Sequence, residues 1–272
     1  MSKNKPIVLY LAYQPLGINL LKSFIKSYIN FKSGYDHELL ICFKKFTNIE
    51  TIKEWSSKVP FNFIRFIDNE KKNDFDIGSY LRVSEQYQDR LILFLGTYTN
   101  PKTNNWLRIF VENYKEKSIL GATGSYASIP SMFFKFYYNQ YTKFQQIKWG
   151  LQHLLKVKLF PNPHIRTTGF LILAKDLLSI KYDRNKLIKK IECNYFEGGR
   201  HGMSQQLISR GFNLFIANSD NNIFSIKDWK KSKTYCLENQ EKLIFIDNRT
   251  NEYHNASPEL KKKMNKLCWG SN

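Results

Sequence analysis

Apolar runs and helix-spaced apolar residues alternate along the chain. Residues 7–12 form a short run of mainly aliphatic side chains followed by Pro15 and Gly17, which is typical of a buried strand that ends in a loop. Residues 18–32 instead carry apolar side chains at helical spacing. The same two patterns predict strands at 38–43, 61–67, 90–95, 118–123, 169–174 and 213–217, and helices at 48–58, 78–88, 105–116, 183–192 and 203–210. Such alternation predicts an α/β fold with a mostly parallel central sheet flanked by helices.

The pattern changes between residues 126 and 165. No acidic residue occurs between Glu116 and Asp176. Lysines and aromatic residues alternate there, namely Lys135, Lys143, Lys148, Lys156 and Lys158 with Phe133, Phe134, Phe136, Tyr137, Tyr138, Tyr141, Phe144 and Trp149. This composition suits a helix lying on anionic lipid. The alternative, which we prefer, is a helical insertion whose aromatic side chains pack on the sheet and whose lysines are solvated.

The 272 residues contain no linker and no internal repeat, so we predict one domain over 1–272. We also predict a loop at 194–202 and a polar tail from residue 247. The four cysteines are scattered, which argues against a zinc site or a disulfide framework. No apolar run approaches the ~20 residues that span a bilayer, and the N-terminus lacks a signal cleavage site. We therefore expect a cytoplasmic protein, with a possible peripheral contact at the inner face of the membrane.

The formal charge of +19 predicts that anions are attracted to the surface. Phosphates of a small ligand, a nucleic acid and an anionic membrane are all compatible with it. Lysine, asparagine and isoleucine are abundant throughout the chain, so part of the charge is equally well explained by compositional bias. Charge alone does not choose among these partners.

Ligands of open parallel sheets bind beyond the carboxyl ends of the strands, so the loops at 12–17, 68–79 and 96–101 are expected to converge on one crevice. The first and third loops contain neither a glycine-rich phosphate cradle nor a P-loop lysine. This argues against an ordinary kinase and against a Rossmann dehydrogenase. Other groups must hold any phosphates.

The order of these pieces resembles the GT-A glycosyltransferases, which have a Rossmann-like fold. The Asn/Asp/Gly turn at 73–80, followed by a helix and the strand 91–95, is similar to the family-two and rhamnan-synthesis-like bacterial groups. The resemblance implies that 1–125 is the half that binds the nucleotide sugar, that 126–165 is a helical insertion and that 166–272 is the acceptor side. It implies a donor site formed by Ala12, Tyr13, Asp74, Asp76, Ser79, Gly96, Thr97, Tyr98, Thr99 and Arg200.

The resemblance is incomplete at the metal site. The family usually has Asp-X-Asp after the strand that ends near residue 95, whereas this chain has Gly96, Thr97 and Tyr98. Because Mg²⁺ and Mn²⁺ prefer carboxylate oxygens, this loop is a poor metal site by itself. Two alternatives stay open. Either lysine and arginine side chains neutralise the diphosphate, which we favour, or Mn or Mg is held by carboxylates from elsewhere, such as Asp74, Asp76 or Asp220.

The second half resembles the acceptor side of the family. Residues 165–172 are a loop that runs into a Gly-containing strand, and after a helix comes a loop in which Glu197 takes the place of the family's acidic residue before a helix. The resemblance makes Glu197 the expected catalytic base and implies acceptor contacts from Thr168, Gly169 and His201. Plainer roles compete with these: a solvated loop position for Glu197, surface positions for Arg200 and His201, and helix capping for Asp76.

The expected function is transfer of a sugar from a nucleoside diphosphate sugar to a glycan or lipid-linked acceptor, as in surface polysaccharide synthesis by a hexosyltransferase-like enzyme. Two alternatives remain. One is a basic nucleic-acid-binding protein, which no recognisable motif supports. The other is a degenerate relative that binds a sugar nucleotide without turnover, which the missing Asp-X-Asp motivates.

Overall fold

An eight-stranded sheet forms the centre of the protein in a computed structural model, which describes residues 5–270. The strands are β1 Ile7–Tyr13, β2 Glu38–Lys44, β3 Ile64–Asp68, β4 Leu91–Leu95, β5 Asn100–Pro101, β6 Ser118–Gly121, β7 Gly124–Ser125, β8 His164–Ile165, β9 Gly169–Leu173, β10 Asn213–Ala217, β11 Ile223–Ser225 and β12 Phe245–Ile246. The central sheet has the order β11-β10-β6-β9-β4-β1-β2-β3, and β5 pairs with β12 and β7 with β8 outside it.

Most neighbouring strands of the central sheet are parallel. β3, β2, β1 and β4 run in one direction, and β6 is parallel to β10. The expected α/β fold with a mostly parallel sheet is therefore confirmed. Two antiparallel strands modify it, because β9 lies between β4 and β6 and β11 lies at one edge. Gly169, the first residue of β9, pairs with Leu95 at the end of β4, so the loop before β9 reaches the edge where the parallel strands end.

Helices cover both faces of this sheet. They are α1 Ile18–Asn30, α2 Ile49–Ser56, α3 Phe75–Gln86, α4 Trp106–Asn113, α5 Ile129–Phe134, α6 Lys143–Leu154, α7 Ala174–Leu178, α8 Lys190–Gly198, α9 Met203–Ser209, α10 Asn248–His254 and α11 Pro258–Trp269. Successive residues of β1 enter different cores. Ile7 and Leu9 belong to one buried cluster, and Val8 and Tyr10 belong to the other. A strand with both faces buried is apolar at every position, which explains the unbroken run in the sequence.

Two predicted segments are wrong. The expected loop at 194–202 is helical as far as Gly198, because Cys193 and Phe196 lie three residues apart and are both buried. The expected polar tail from 247 forms α10 and α11, whose Tyr253 and Trp269 belong to the core. A few core residues among mainly polar ones anchor these two helices, and an apolar-run criterion does not detect them.

The segment 126–165 contains α5 and α6 with their aromatic side chains packed on one another. The Phe133 ring lies 4.8 Å from that of Tyr138 and 5.8 Å from that of Trp149, and Tyr141 lies 4.6 Å from Trp149. None of these four side chains belongs to either core cluster around the sheet. The helical insertion is as expected, but these aromatic residues join α5 to α6 and do not cover the sheet.

Candidate functional site

One cavity of about 500 Å³ lies at the edge where β1, β2 and β4 end and β9 begins. The three loops singled out in the sequence all reach it. Its lining consists of Leu11, Tyr13, Leu16, Lys44, Asn73, Phe75, Asp76, Gly96, Thr97, Tyr98, Thr99, Arg166, Thr167, Thr168, Lys190, Asn194, Glu197, Tyr235, Asp247, Asn248 and Arg249. A cavity of this size fits a small ligand.

The loop after β4 is fixed by the loop that precedes β9. The Gly96 amide donates to the Thr168 carbonyl at 3.3 Å, and the Thr99 hydroxyl donates to the same carbonyl at 2.6 Å. From below, the Tyr10 hydroxyl donates to the Thr97 carbonyl at 2.8 Å. These bonds hold residues 96–99 in one conformation, so this wall of the cavity is pre-organised.

Glu197 lies in the last turn of α8 and is half-buried. Its Oε1 atom accepts hydrogen bonds from the backbone amide of Thr167, at 2.8 Å, and from the Thr167 hydroxyl. Within residues 5–270, Oε2 makes no hydrogen bond. One oxygen therefore orients the carboxylate, and the other is free to accept a proton from a bound molecule.

Asp76 is the second carboxyl group at the cavity. It lies in the first turn of α3, where Oδ1 accepts from the Ile77 amide at 3.1 Å. Burial raises the pKa of Asp76, the charge of Glu197 raises it further, and Lys190 opposes both effects. Two carboxyl groups with different environments thus share one site, an arrangement also found where one group is an acid and the other a base.

Besides Lys44, which pairs with Asp68 and Asp74, three cationic side chains line the cavity. Arg166 is buried, and its guanidinium lies 3.8 Å above the ring of Tyr235. Its Nη1 atom lies 3.5 Å from Asp247 Oδ2. Lys190 and Arg249 are exposed. The stacked guanidinium is the most rigid of the three, because the ring and the carboxylate constrain it from two sides.

Asp74 and Ser79, which the resemblance placed at the donor, lie below the cavity in a buried network. Lys44 contacts the Asp74 carboxylate, donates to Ser79 Oγ at 3.0 Å and lies 3.5 Å from Asp68 Oδ2. Arg82 bonds both carboxylates, with Nε to Asp68 Oδ1 at 2.8 Å and Nη1 to Asp74 Oδ2 at 2.5 Å. The network ties β2, β3 and α3 together beneath the site.

The structure separates the remaining predicted residues. The cavity is lined by Tyr13, Asp76, the four residues 96–99, Thr168 and Glu197. Ala12 is buried in β1, and Gly169 begins β9. Arg200 and His201 are exposed beyond α8, where Arg200 Nε donates to the Leu154 carbonyl of α6 at 3.1 Å. None of these last four lines the cavity.

Several lining residues were not singled out as site residues in the sequence, notably Lys44, Arg166, Lys190, Tyr235 and Asp247. Arg166 precedes the predicted strand at 169–174, and a residue before a parallel strand would lie at the edge opposite the crevice. It reaches the cavity because β9 is antiparallel to β4. Tyr235 and Asp247 lie in distant segments of the chain, and no local sequence pattern indicates that they contact Arg166. Only the tertiary structure brings this group together.

Protein side chains alone do not form a divalent-metal site here. Among residues 5–270 no group of three or more His, Cys, Asp or Glu side chains has a metal-binding arrangement. Asp68 and Asp74 are paired with Lys44 and Arg82, and Asp247 accepts the amides that begin α10. The loop after β4 has no carboxylate. Asp76 and Glu197 are left, and two carboxyl groups would hold Mg²⁺ or Mn²⁺ only together with oxygen ligands from substrate or water.

No protein-family model matches the chain, and no curated protein sequence matches it. Solved structures do match. The mannosyltransferase Ktr4p from S. cerevisiae, in complex with GDP, has 12% identity and a TM-score of 0.37, over 77% of this chain and 66% of that one. Core-mannan synthase A from Aspergillus fumigatus, in an Mn/GDP form, has 9% identity and a TM-score of 0.42, over 78% and 70%. The galactosyltransferase LgtC has 11% and 0.44, over 78% and 73%.

The alignment covers 66% of Ktr4p in its GDP complex, slightly less than two thirds of its length. Of GalNAc-T7, another solved structure that matches, it covers 23%. TM-scores between 0.34 and 0.44 describe a partial likeness of chain path. They assign neither an activity nor a substrate to this chain.

Proposed function

We propose that this protein is a glycosyltransferase with a GT-A-like domain over 1–272, of which residues 1–4 and 271–272 lie outside the described part. It transfers a sugar from a nucleoside diphosphate sugar to a hydroxyl of a glycan or lipid-linked acceptor, in the synthesis of a surface polysaccharide. The divisions at 125 and 165 separate the donor half, the helical insertion and the acceptor half. Mannosyl- and galactosyltransferases among the matched structures agree with this proposal but do not carry it.

The observation that carries the proposal is the composition of the cavity. Glu197 presents one unbonded carboxylate oxygen in a cavity that also contains Arg166, Lys190 and Arg249. Transfer from a diphosphate needs both kinds of group. The acceptor proton requires a base, and the leaving diphosphate requires cations because it gains negative charge as its bond breaks.

In a transfer with inversion, one carboxylate is sufficient as the base. The acceptor oxygen attacks the anomeric carbon while the bond from that carbon to the diphosphate oxygen breaks. The electron pair of the broken bond leaves with the nucleoside diphosphate, and Oε2 of Glu197 takes the acceptor proton. Arg166, held on Tyr235, contacts the diphosphate together with Lys190 and Arg249. These cations neutralise the leaving group in place of a metal ion. Asp76 is a second candidate base from the same cavity.

Ligand-induced thermal stabilisation tests the donor site, because specific binding raises the unfolding temperature. Purified protein is heated with nucleoside diphosphates and nucleotide sugars, each with EDTA or with Mn²⁺. We expect a shift with one nucleotide that persists in EDTA. A shift that requires Mn²⁺ would refute the metal-free site, and no shift with any nucleotide would refute the transferase.

A sugar-nucleotide-binding protein without turnover is the second candidate. The absence of a carboxylate in residues 96–98 favours it, since this is where the resembled enzymes hold their metal. The two candidates differ in hydrolysis or transfer of the donor that gives the thermal shift. Product formation abolished by Glu197→Gln, with binding retained, supports the enzyme, whereas binding without any product supports the alternative.

A further inference from the structure

Helix α6 exposes a stripe of large apolar side chains. Phe144 is 77% exposed, Ile147 43%, Leu151 56% and Leu155 77%. Their spacing of three, four and four residues places them on one face of the helix. Scattered exposed leucines are normal on protein surfaces, but four aligned on one short helix form a continuous patch.

The exposure of this stripe follows from how firmly the opposite face is held. Gln146 is buried, and its Nε2 atom donates to the carbonyls of Tyr138 and Tyr141 at 3.0 Å each. Gly150 lies against Phe134, so closely that an added Cβ would be 2.5 Å from the ring. A capping box at Thr142 fixes the start of the helix. Because α6 cannot rotate without breaking these contacts, the stripe stays at the surface.

Lysines surround the stripe. Lys148 lies beside it on α6, Lys143 precedes it, and Lys156 follows the helix; all three are exposed. Within residues 5–270 none of the three forms an ion pair. The nearest acidic residues in the sequence are Glu116 and Asp176, so no carboxylate of this segment offsets the positive charge. The surface therefore combines an apolar strip with uncompensated cations.

We propose that the α6 stripe docks on an anionic phospholipid bilayer, with its apolar side chains in the acyl boundary and Lys143, Lys148 and Lys156 at the headgroups. Twelve residues make a helix of about 18 Å, too short to cross a bilayer but suited to lying in its surface. Consistent with this orientation, no helix within residues 5–270 has the length and apolar character of a membrane span.

The chemistry of the stripe favours lipid over two other occupants. A second copy packed through the same face would bring two sets of unpaired lysines together, which opposes association. A nucleic acid would find phosphate contacts but little stacking surface, because Ile147, Leu151 and Leu155 are aliphatic. A bilayer with anionic headgroups satisfies both the apolar strip and the lysines.

The proposal does not depend on the proposed enzyme activity, although the fold connects the two. The end of α6 is bonded to the helix that carries Glu197. His153 Nδ1 lies 2.6 Å from the Tyr195 hydroxyl, and the Arg200 amide donates to the Lys156 carbonyl at 2.7 Å. A membrane-bound α6 would thus hold the candidate acceptor side of the cavity near the lipid surface, within reach of a lipid-linked acceptor.

Co-sedimentation with vesicles tests the proposal. Vesicles of phosphatidylcholine alone are compared with vesicles of phosphatidylcholine and phosphatidylglycerol. We expect wild-type protein to bind the anionic vesicles and to bind neutral ones far more weakly. Leu151→Gln/Leu155→Gln should bind the anionic vesicles roughly tenfold or more weakly, because both side chains leave the acyl boundary. The matched control Ile188→Gln/Leu260→Gln removes two exposed apolar side chains elsewhere and should bind as wild type does.

A charge pair of variants separates the electrostatic contribution. Lys143→Gln/Lys148→Gln should weaken binding to anionic vesicles by about 25-fold, at roughly fivefold per lysine. The control Lys71→Gln/Lys262→Gln, with the same loss of charge on other surfaces, should have a smaller effect. Circular dichroism and nucleotide-induced thermal shifts of all variants should match wild type. If neither the wild type nor the variants show a nucleotide-induced shift, the enzyme proposal is refuted, and the vesicle result can still be interpreted.

Three results would overturn the membrane proposal. The first is wild-type binding to anionic vesicles that the leucine variant retains in full. The second is a lipid-free dimer, measured by sedimentation, that the leucine variant converts to monomer. The third is nucleic-acid binding that the stripe variants abolish while vesicle binding persists.

Discussion

Removal of the buried Lys44 cation tests whether Asp74 has a structural role. The Lys44 side chain is 1% exposed, and the carboxylates of Asp68 and Asp74 are 0% and 10% exposed. Arg82 is the other cation in contact with both carboxylates. In the wild type two positive and two negative charges balance. Lys44→Met keeps most of the buried stem and leaves two carboxylates to share one guanidinium.

The expected cost follows from that charge balance. Breaking a buried ion pair by removing one partner typically destabilises a protein by about 3–5 kcal/mol, since an uncompensated charge stays behind. Arg82 still bonds both carboxylates in the variant, so we expect the lower end, about 3 kcal/mol. No large cavity contribution is added, because methionine fills the volume of the lysine stem.

A double-mutant cycle provides the assay. Urea denaturation is measured for wild type, Lys44→Met, Asp74→Asn and the double variant. The double variant removes one charge of each sign, so its loss of unfolding free energy should be smaller than the sum of the single losses by about 1–3 kcal/mol. Unequal m-values would instead indicate a change in the unfolded or native ensemble.

The pH dependence gives an independent readout. Burial alone would raise the pKa of Asp68 and of Asp74, but hydrogen bonds from Arg82 and contact with Lys44 outweigh it, so the net effect is a lowered pKa for both. Their stabilisation is present above the unfolded pKa of about 3.9 and is lost as the pH falls through the folded values. Lys44→Met should reduce this acid-dependent part. Additive single losses, or a cost for Lys44→Met below about 1 kcal/mol, would contradict the network as described.

Three further predictions concern the cavity. Glu197→Gln should lower kcat/KM by about 10²–10⁴-fold with nucleotide affinity unchanged, and Glu241→Gln, an exposed carboxylate elsewhere, should have no effect. Asp76→Asn should raise the Tm at pH 7, because a pKa that is raised on folding means that the charged carboxylate destabilises the folded state. The difference in Tm should vanish below the pKa of the unfolded chain, and a lowered Tm at pH 7 would contradict this reasoning. Arg166→Lys keeps the charge but loses the planar stack on Tyr235, so calorimetry in EDTA should give about tenfold weaker nucleoside diphosphate binding, and unchanged affinity would remove Arg166 from the site.

Periodicity was sufficient for the elements that form the sheet and its edge. β1 is an unbroken apolar run because both its faces are buried, and α1 shows its spacing because only one face is. Since the carboxyl ends of parallel strands share an edge, the loops after β1, β3 and β4 could be assigned to one crevice before any coordinates were known.

Tertiary pairing was beyond the reach of the sequence. Asp74 and Asp76 differ by two positions in one turn, yet Asp74 is bonded to buried cations and Asp76 lines the cavity. Their local sequence does not distinguish them, because the distinction comes from Lys44 on β2 and from Arg82 two turns along α3. The same holds for Arg166, whose partners Tyr235 and Asp247 lie about 70 and 80 residues away along the chain.

How the carboxylates are used bears directly on the chemistry of the cavity. Asp68 and Asp74 balance Lys44 and Arg82 below it, so that network leaves no net charge. Asp247 accepts hydrogen bonds from the amides at the start of α10 and forms an ion pair with Arg166. What faces the ligand is then Arg166, Lys190 and Arg249 against Glu197 and Asp76, and burial raises the pKa of Asp76. Under the proposed function, these cations attract the diphosphate, and Glu197, whose Oε2 atom makes no hydrogen bond within residues 5–270, removes the acceptor proton.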